Sequence, residues 1–98
     1  MKNIITDLNK AFDNRVRLGI MSILMVNEGA DFNSMKETLN LTDGNLASHL
    51  KTLEGINYIM MKKEFIGRKP RTSYSATEEG RKAFKLHLNA LEKLIRGG

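Results

Sequence analysis

Asn40-Leu41-Thr42 constrains this chain more than any other stretch, because these residues are all that separates two helical patterns. Upstream, Ser34-Met35-Lys36-Glu37 has the Ser-x-x-Glu form of a capping box and predicts a short helix to Asn40 with Met35 and Leu39 inward. Downstream, Thr42 carries the hydroxyl of an N-cap, and Leu46, Leu50 and Leu53 recur at i, i+4 and i+7 in a helix that closes at Gly55. In the junction, Asn40 tolerates the left-handed conformation that ends the first helix, Leu41 plugs inward and Thr42 caps the second. Helices joined this tightly must cross steeply, as in a helix-turn-helix spanning about residues 34–54.

The second helix turns Asn45, Ser48, His49 and Thr52 away from its leucines. These are short or medium side chains with donors and acceptors and no fixed charge, whereas a solvated face is usually richer in Lys and Glu. Such side chains can reach base edges and phosphates in a DNA major groove. A plain polar surface helix fits this segment equally well when it is taken alone.

The flanking sequence supplies a frame. Asn3 to Phe12 places Ile4, Ile5, Leu8 and Phe12 at helical spacing and predicts a short amphipathic helix, stable only if its stripe is buried. Asp13 or Asn14 can cap the next helix, Arg15 to Asn27, whose apolar residues cover most of its circumference and mark it as the central core helix; Glu28-Gly29 ends it. Phe32 is expected to anchor a brief strand within residues 30–33. Tyr58 to Ile66 and Thr72 to Ala76 read as the strands of a β-hairpin, with Gly67 to Pro70 as its turn and Pro70 restricting pairing at the tip. Thr77-Glu78-Glu79 is a cap followed by two acids where the helix dipole favours them, and opens a helix of roughly 30 Å to about Arg96. Its apolar residues Phe84, Leu88, Leu91 and Ile95 have heptad-like spacing and extend past what a core of this size can cover. The expected fold is therefore mainly α with a small β-hairpin, an α+β chain forming one domain over residues 1–98, with the hairpin at about 58–76 and the last helix at about 77–96.

Charge is distributed unevenly. Residues 1–40 balance five Lys/Arg against five Asp/Glu, but residues 41–76 hold six against three, and Phe65 to Ala76 contains Arg68, Lys69 and Arg71 with no acid. A basic tip beside a neutral polar helix points to a polyanion, most simply nucleic acid. The absence of Cys removes disulfides, thiolate metal sites and Cys nucleophiles. No Gly-rich phosphate loop or paired nucleophile and base is present, so neither an enzyme nor a cofactor is expected. His49 and His87 are the histidines, and neither has the companions of a metal site, so no metal is expected. No apolar run approaches the ~20 residues of a membrane span, and a cytoplasmic protein without a membrane partner is expected. The six Met residues are most simply core filler, although adaptable packing could admit a small apolar effector.

The order helix, helix, short strand, helix, helix, hairpin, long helix resembles the winged helix-turn-helix transcriptional regulators over nearly the whole chain. The strings Asp13-Asn14-Arg15-Val16-Arg17-Leu18, Leu41-Thr42-Asp43-Gly44-Asn45-Leu46 and His49-Leu50-Lys51-Thr52-Leu53-Glu54 are similar to small archaeal and bacterial members related to the MarR and ArsR groups. So are Gly67-Arg68-Lys69-Pro70-Arg71-Thr72 at the wing tip and Thr77-Glu78-Glu79-Gly80-Arg81 at the start of the last helix. Where that family commonly has Gly, this chain has Asn40 and Asn57, the next most tolerant residue for positive φ.

The resemblance implies that the recognition helix enters the major groove of double-stranded DNA while the wing reaches flanking backbone or minor groove. It places Thr42, Asp43 and Gly44 near DNA at the helix start, Asn45, Ser48, His49 and Thr52 in the groove, Lys51 on phosphate, and Arg68, Lys69 and Arg71 on the wing. It also implies a homodimer joined by the first and last helices, through Ile4, Leu8, Phe12, Leu88, Leu91 and Ile95. The function expected is a homodimeric transcriptional regulator, most simply a repressor, on a pseudo-palindromic operator with recognition helices about 34 Å apart. The alternative is a winged-helix protein-interaction module or non-specific DNA-binding adaptor.

Overall fold

The computed structural model describes residues 4–97, with side chains from Ile5 onward. Two 3-10 turns, Ile4–Asp7 and Lys10–Phe12, lead into helix α1 (Arg15–Val26). Strand β1 (Ala30–Asp31), helix α2 (Phe32–Leu39) and helix α3 (Asp43–Gly55) follow, then strands β2 (Ile59–Ile66) and β3 (Lys69–Ala76) and helix α4 (Glu78–Ile95). The strands form one antiparallel sheet in the order β1-β3-β2, with Ala30 opposite Tyr74 and Ile59 opposite Ala76. This is the winged helix fold. No helix among the described residues is long and apolar enough to cross a membrane.

The core forms where α1 meets α3 and the base of the sheet. Ile20, Met21 and Leu24 of α1 pack with Met35, with Leu46, Leu50 and Leu53 of α3, and with Ile59, Tyr74 and Phe84. Asn14 caps α1 by accepting from the amides of Val16 and Arg17. Asn40, at φ 55°, ends α2 with its amide directed at the Lys36 and Glu37 carbonyls, and the Leu41 amide also reaches Lys36. Thr42 Oγ1 accepts from the Asn45 amide and starts α3, so the tight junction forms as its three side chains predict.

Other boundaries differ from the sequence reading. Instead of one N-terminal helix there are two separate 3-10 turns, with Asn9 capping the second: its Oδ1 accepts locally from the Ala11 amide while its Nδ2 donates across the fold to the Tyr58 hydroxyl. Helix α2 begins at Phe32, capped by the Asp31 carboxylate on the Ser34 amide, so Ser34 lies inside the helix and not at its cap. Phe32 is accordingly helical. Val26, placed in the core by its pattern, is 81% exposed at the end of α1.

Strand β3 starts at Lys69, and Pro70 is paired opposite Phe65 instead of sitting in the turn. The turn is Gly67-Arg68, with Gly67 at φ 67°, as a two-residue hairpin of opposite hand to common turns requires. In such a hairpin Ile66 and Lys69 close the ladder, and by alternation the Pro70 nitrogen points away from β2. It faces an edge that two-residue β1 does not reach, so no ladder bond is lost.

Phe12 is the largest departure among the residues expected at a dimer contact. It is 3% exposed within the monomer, stacked with Tyr58 at 5.5 Å and edge-on to Phe84 at 5.0 Å between ring centroids. The inward stripe of α4 is Phe84, His87 and Ala90 with Leu91 half-buried, while Leu88 and Ile95 are exposed. The helix counts His87 among its core positions, which hydrophobic periodicity alone misses. The His87 ring packs on Phe12 at 5.3 Å, and Nδ1 accepts from the Asn9 amide at 3.0 Å, so a polar ring is satisfied among core side chains. The expected contact residue Ile4 has a side chain outside the described residues.

Helix α4 is pinned at its start. Thr77 Oγ1 accepts from the Gly80 amide and donates to the Asn57 carbonyl, and Asn57 takes the left-handed φ of 63°. Gly80 packs directly on the Tyr58 backbone, where a Cβ would overlap the carbonyl. Gly80→Ala is therefore expected to cost about 3 kcal/mol, seen as a fall of more than about 10 °C in Tm. Burial pushes His87 below its usual 6.5, and the Asp13 carboxylate opposes that only in part. Unfolding would let this histidine bind a proton that the fold resists, so its contribution is complete above pH 6.5 and is lost as pH falls through the lower folded value. Thermal scans should show Tm falling on acidification from about pH 7.5 to about pH 5.5, and falling less in His87→Asn, whose Oδ1 can replace Nδ1 as acceptor.

Candidate nucleic-acid interface

With Leu46, Leu50 and Leu53 fully buried, 3.6-residue geometry leaves Gly44, Ser48, Lys51, Thr52 and Asn45 to sweep across the outward side of α3. All five are exposed, as are Thr42 and Asp43. The face thus carries one cation, one acid at its start and otherwise neutral hydrogen-bonding groups. Thr52 donates to the Ser48 carbonyl one turn back, which leaves its oxygen lone pairs outward. Gly44 has no heavy atom of another residue near the position of a Cβ and needs no positive φ, so the fold itself does not demand glycine there.

Two members of this set are engaged elsewhere. Asp43 pairs with Lys36 of α2 at 2.8 Å, tying the start of α3 to the preceding helix as well as favouring the helix N-terminus. His49 is half-buried on the flank of the face, with Nδ1 3.0 Å from Arg17 Nη1 of α1. Desolvation, and then the nearby Arg17 charge, hold its pKa below the usual value and so favour the neutral ring. Nothing in the sequence pairs Arg17 with His49; Arg17 stands there only as one cation within the string Asp13 to Leu18.

On the wing, Arg68 in the turn and Lys69 just after it are exposed and enter none of the ion pairs among the described residues. Arg71 is different. It lies 3.8 Å from the Asp31 carboxylate, so a cation that has no acid near it along the strand acquires one through the fold. Asp31 is also the cap of α2, using Oδ2 for the Ser34 amide and Oδ1 toward Arg71. The β2 strand adds Lys62 and Lys63, with Lys62 paired to Glu64 at 3.6 Å. Among the described residues no group of three or more metal-ligating side chains comes together.

A helix-turn-helix with its polar face outward and a cationic hairpin beside it defines a winged helix DNA-binding protein. Residues 16–95 match the profile of the winged helix DNA-binding domain, and the chain belongs to that family. It is 41% identical over 87 residues to an uncharacterized protein of Methanocaldococcus jannaschii, covering 89% of this chain and 95% of that one. Its structure is similar to that of a transcriptional regulator homologue from Pyrococcus horikoshii, with TM-score 0.85 and 36% identity over 91% of this chain and 88% of the other. YodB from Bacillus subtilis, in a diamide-treated form, shares the fold at TM-score 0.80 and 19% identity over 90% and 86% of the two chains. The protein is thus of the DNA-binding transcriptional-regulator type.

The Asp31 contact carries a measurable consequence. Asp31→Asn keeps a carbonyl for the helix cap but removes the charge opposite Arg71. Duplex-DNA affinity in a fluorescence titration should rise about three-fold, with the log-log salt slope steeper by about 0.9 for each arginine released to a phosphate.

Proposed function

We propose that the protein is a sequence-specific transcriptional regulator of about one domain in extent, acting in the cytoplasm as a homodimeric repressor on a pseudo-palindromic duplex. The observation that carries this reading is the outward face of α3, uncharged and rich in hydrogen-bonding groups at its centre, set beside two wing cations that enter no ion pair among the described residues. Asn45, Ser48, Thr52 and His49 read base edges, with Thr42, Asp43 and Gly44 at the point of closest approach and Lys51 on phosphate. Arg68 and Lys69 hold the flanking backbone, and Arg71 joins them when it leaves Asp31.

The dimer reading is supported by apolar surface that the monomer leaves open. Ile5, Leu86, Leu88, Leu94 and Ile95 are exposed, and a groove lined by Ile5, Leu8, Phe12, Leu18 and Leu91 lies between the N-terminal turns, α1 and α4. The molecule is elongated, with extents of 57 × 25 × 21 Å and a radius of gyration of 14.9 Å against about 12.6 Å for a compact chain of this length. A second copy covering this end of α4 would complete the fold, leave the two recognition helices about one DNA turn apart, and give a small apolar effector a place to act.

The test is a salt titration of duplex affinity, comparing fragments from upstream of the protein's own gene with a scrambled duplex. If each protomer neutralises about four phosphates, the dimer should show a log-log slope near −7. Ser48→Ala, at an exposed position, should keep Tm and slope while losing discrimination at one base pair by about ten-fold. Equal affinity for every duplex would leave only a non-specific binder, and no binding at low salt would sink the regulator reading.

A further inference from the structure

Arg17 lies on α1, outside the exposed face of α3, yet its guanidinium is held at two points. Nε donates to the Ala11 carbonyl at 2.6 Å, and Nη1 lies 3.0 Å from His49 Nδ1. A guanidinium has donors only and keeps its proton in proteins. The contact is therefore a hydrogen bond only when His49 Nδ1 presents a lone pair, which puts the single ring proton on Nε2.

The two imidazole nitrogens diverge, so Nε2–H is directed away from α1. His49 sits at the edge of the exposed face, one helical turn from Asn45 and next to Thr52 along the helix surface. We propose that Arg17 is a positioning residue that fixes His49 as a neutral, single-donor reader of the major groove. This rests on the duplex-binding reading above and specifies one of its contacts. The fixed donor matches an acceptor on a base edge, namely guanine O6 or N7, adenine N7 or thymine O4, and it opposes the amino group of cytosine.

The lock matters because the other tautomer would reverse the choice. With the proton on Nδ1, the outward nitrogen would become an acceptor and would favour cytosine N4–H. A protonated ring would donate too, but its charge would also draw it to any phosphate, adding affinity without discrimination. Arg17 disfavours both: its N–H needs the Nδ1 lone pair, and its charge repels an imidazolium. The Ala11 carbonyl, just before Phe12 of the core, anchors the guanidinium so that His49 meets a fixed donor and not a mobile one.

The first measurement is long-range proton–nitrogen NMR of the histidine rings in the free wild-type protein at neutral pH. His49 should show a lone-pair Nδ1 and a protonated Nε2, and Arg17→Met, which keeps the aliphatic stem, should shift it toward a tautomer mixture. The second is a base-substitution scan of the bound duplex. One base pair should show about ten-fold preference for an acceptor over cytosine, lost in both His49→Ala and Arg17→Met at unchanged salt slope. His49→Gln should retain it, since its amide can turn oxygen to Arg17 and NH2 to the groove. A protonated Nδ1 in the wild type, or full preference in Arg17→Met, would overturn the inference while leaving duplex binding intact. No duplex binding by the wild type at low salt would instead remove the regulator reading, and the reader role with it, whichever tautomer is observed.

Discussion

Burial of Leu46, Leu50 and Leu53 against α1 is the interaction on which the rest of the structure depends. Three fully buried leucines contribute about 6 kcal/mol, comparable to the whole net stability of a small domain. Rotating α3 about its axis would forfeit that term, so the outward direction of Asn45, Ser48 and Thr52 is set from the opposite side of the helix. The polar face is presented by packing and needs no bonds of its own to stay exposed.

The same core sets what lies around that face. Asn40 at φ 55° and Asn57 at φ 63° let the chain enter and leave α3 without long loops, so α2 and β2 stay close to it. Both positions take the left-handed conformation that glycine most readily supplies. Asparagine meets the backbone requirement because its short polar side chain tolerates the left-handed region. After Asn57, the carbonyl of Tyr58 accepts from the Thr77 amide and lies against Gly80, so the wing is closed at its base by the start of α4.

The far end of the molecule is organised around Phe12, which meets Tyr58 from the turn before β2 and Phe84 and His87 from α4. Asn9 bonds to His87 and Tyr58 of that cluster, which ties the N-terminal turns to α4 and to the turn before β2. These turns are thereby committed to the monomer's own core more than an amphipathic terminal helix would be. The apolar surface that remains lies on Ile5 and along the exposed positions of α4.

Leucine periodicity, the three-residue junction and the Thr42 and Thr77 caps determined the order of helices, the helix-turn-helix and the start of the last helix. Those signals are local: spacing along one helix and the side chain of one capping residue carry them entirely. The sequence also contained the Asp31 cap and the Gly67-Arg68 turn, but competing signals at Ser34 and Pro70 obscured them. Only the tertiary structure decided that Arg71 meets Asp31, that His87 and Phe12 face inward, and that Arg17 reaches His49 across 32 positions. Each of these joins residues on different elements, and the distance between such residues is fixed by how whole helices and strands pack, which no local pattern encodes.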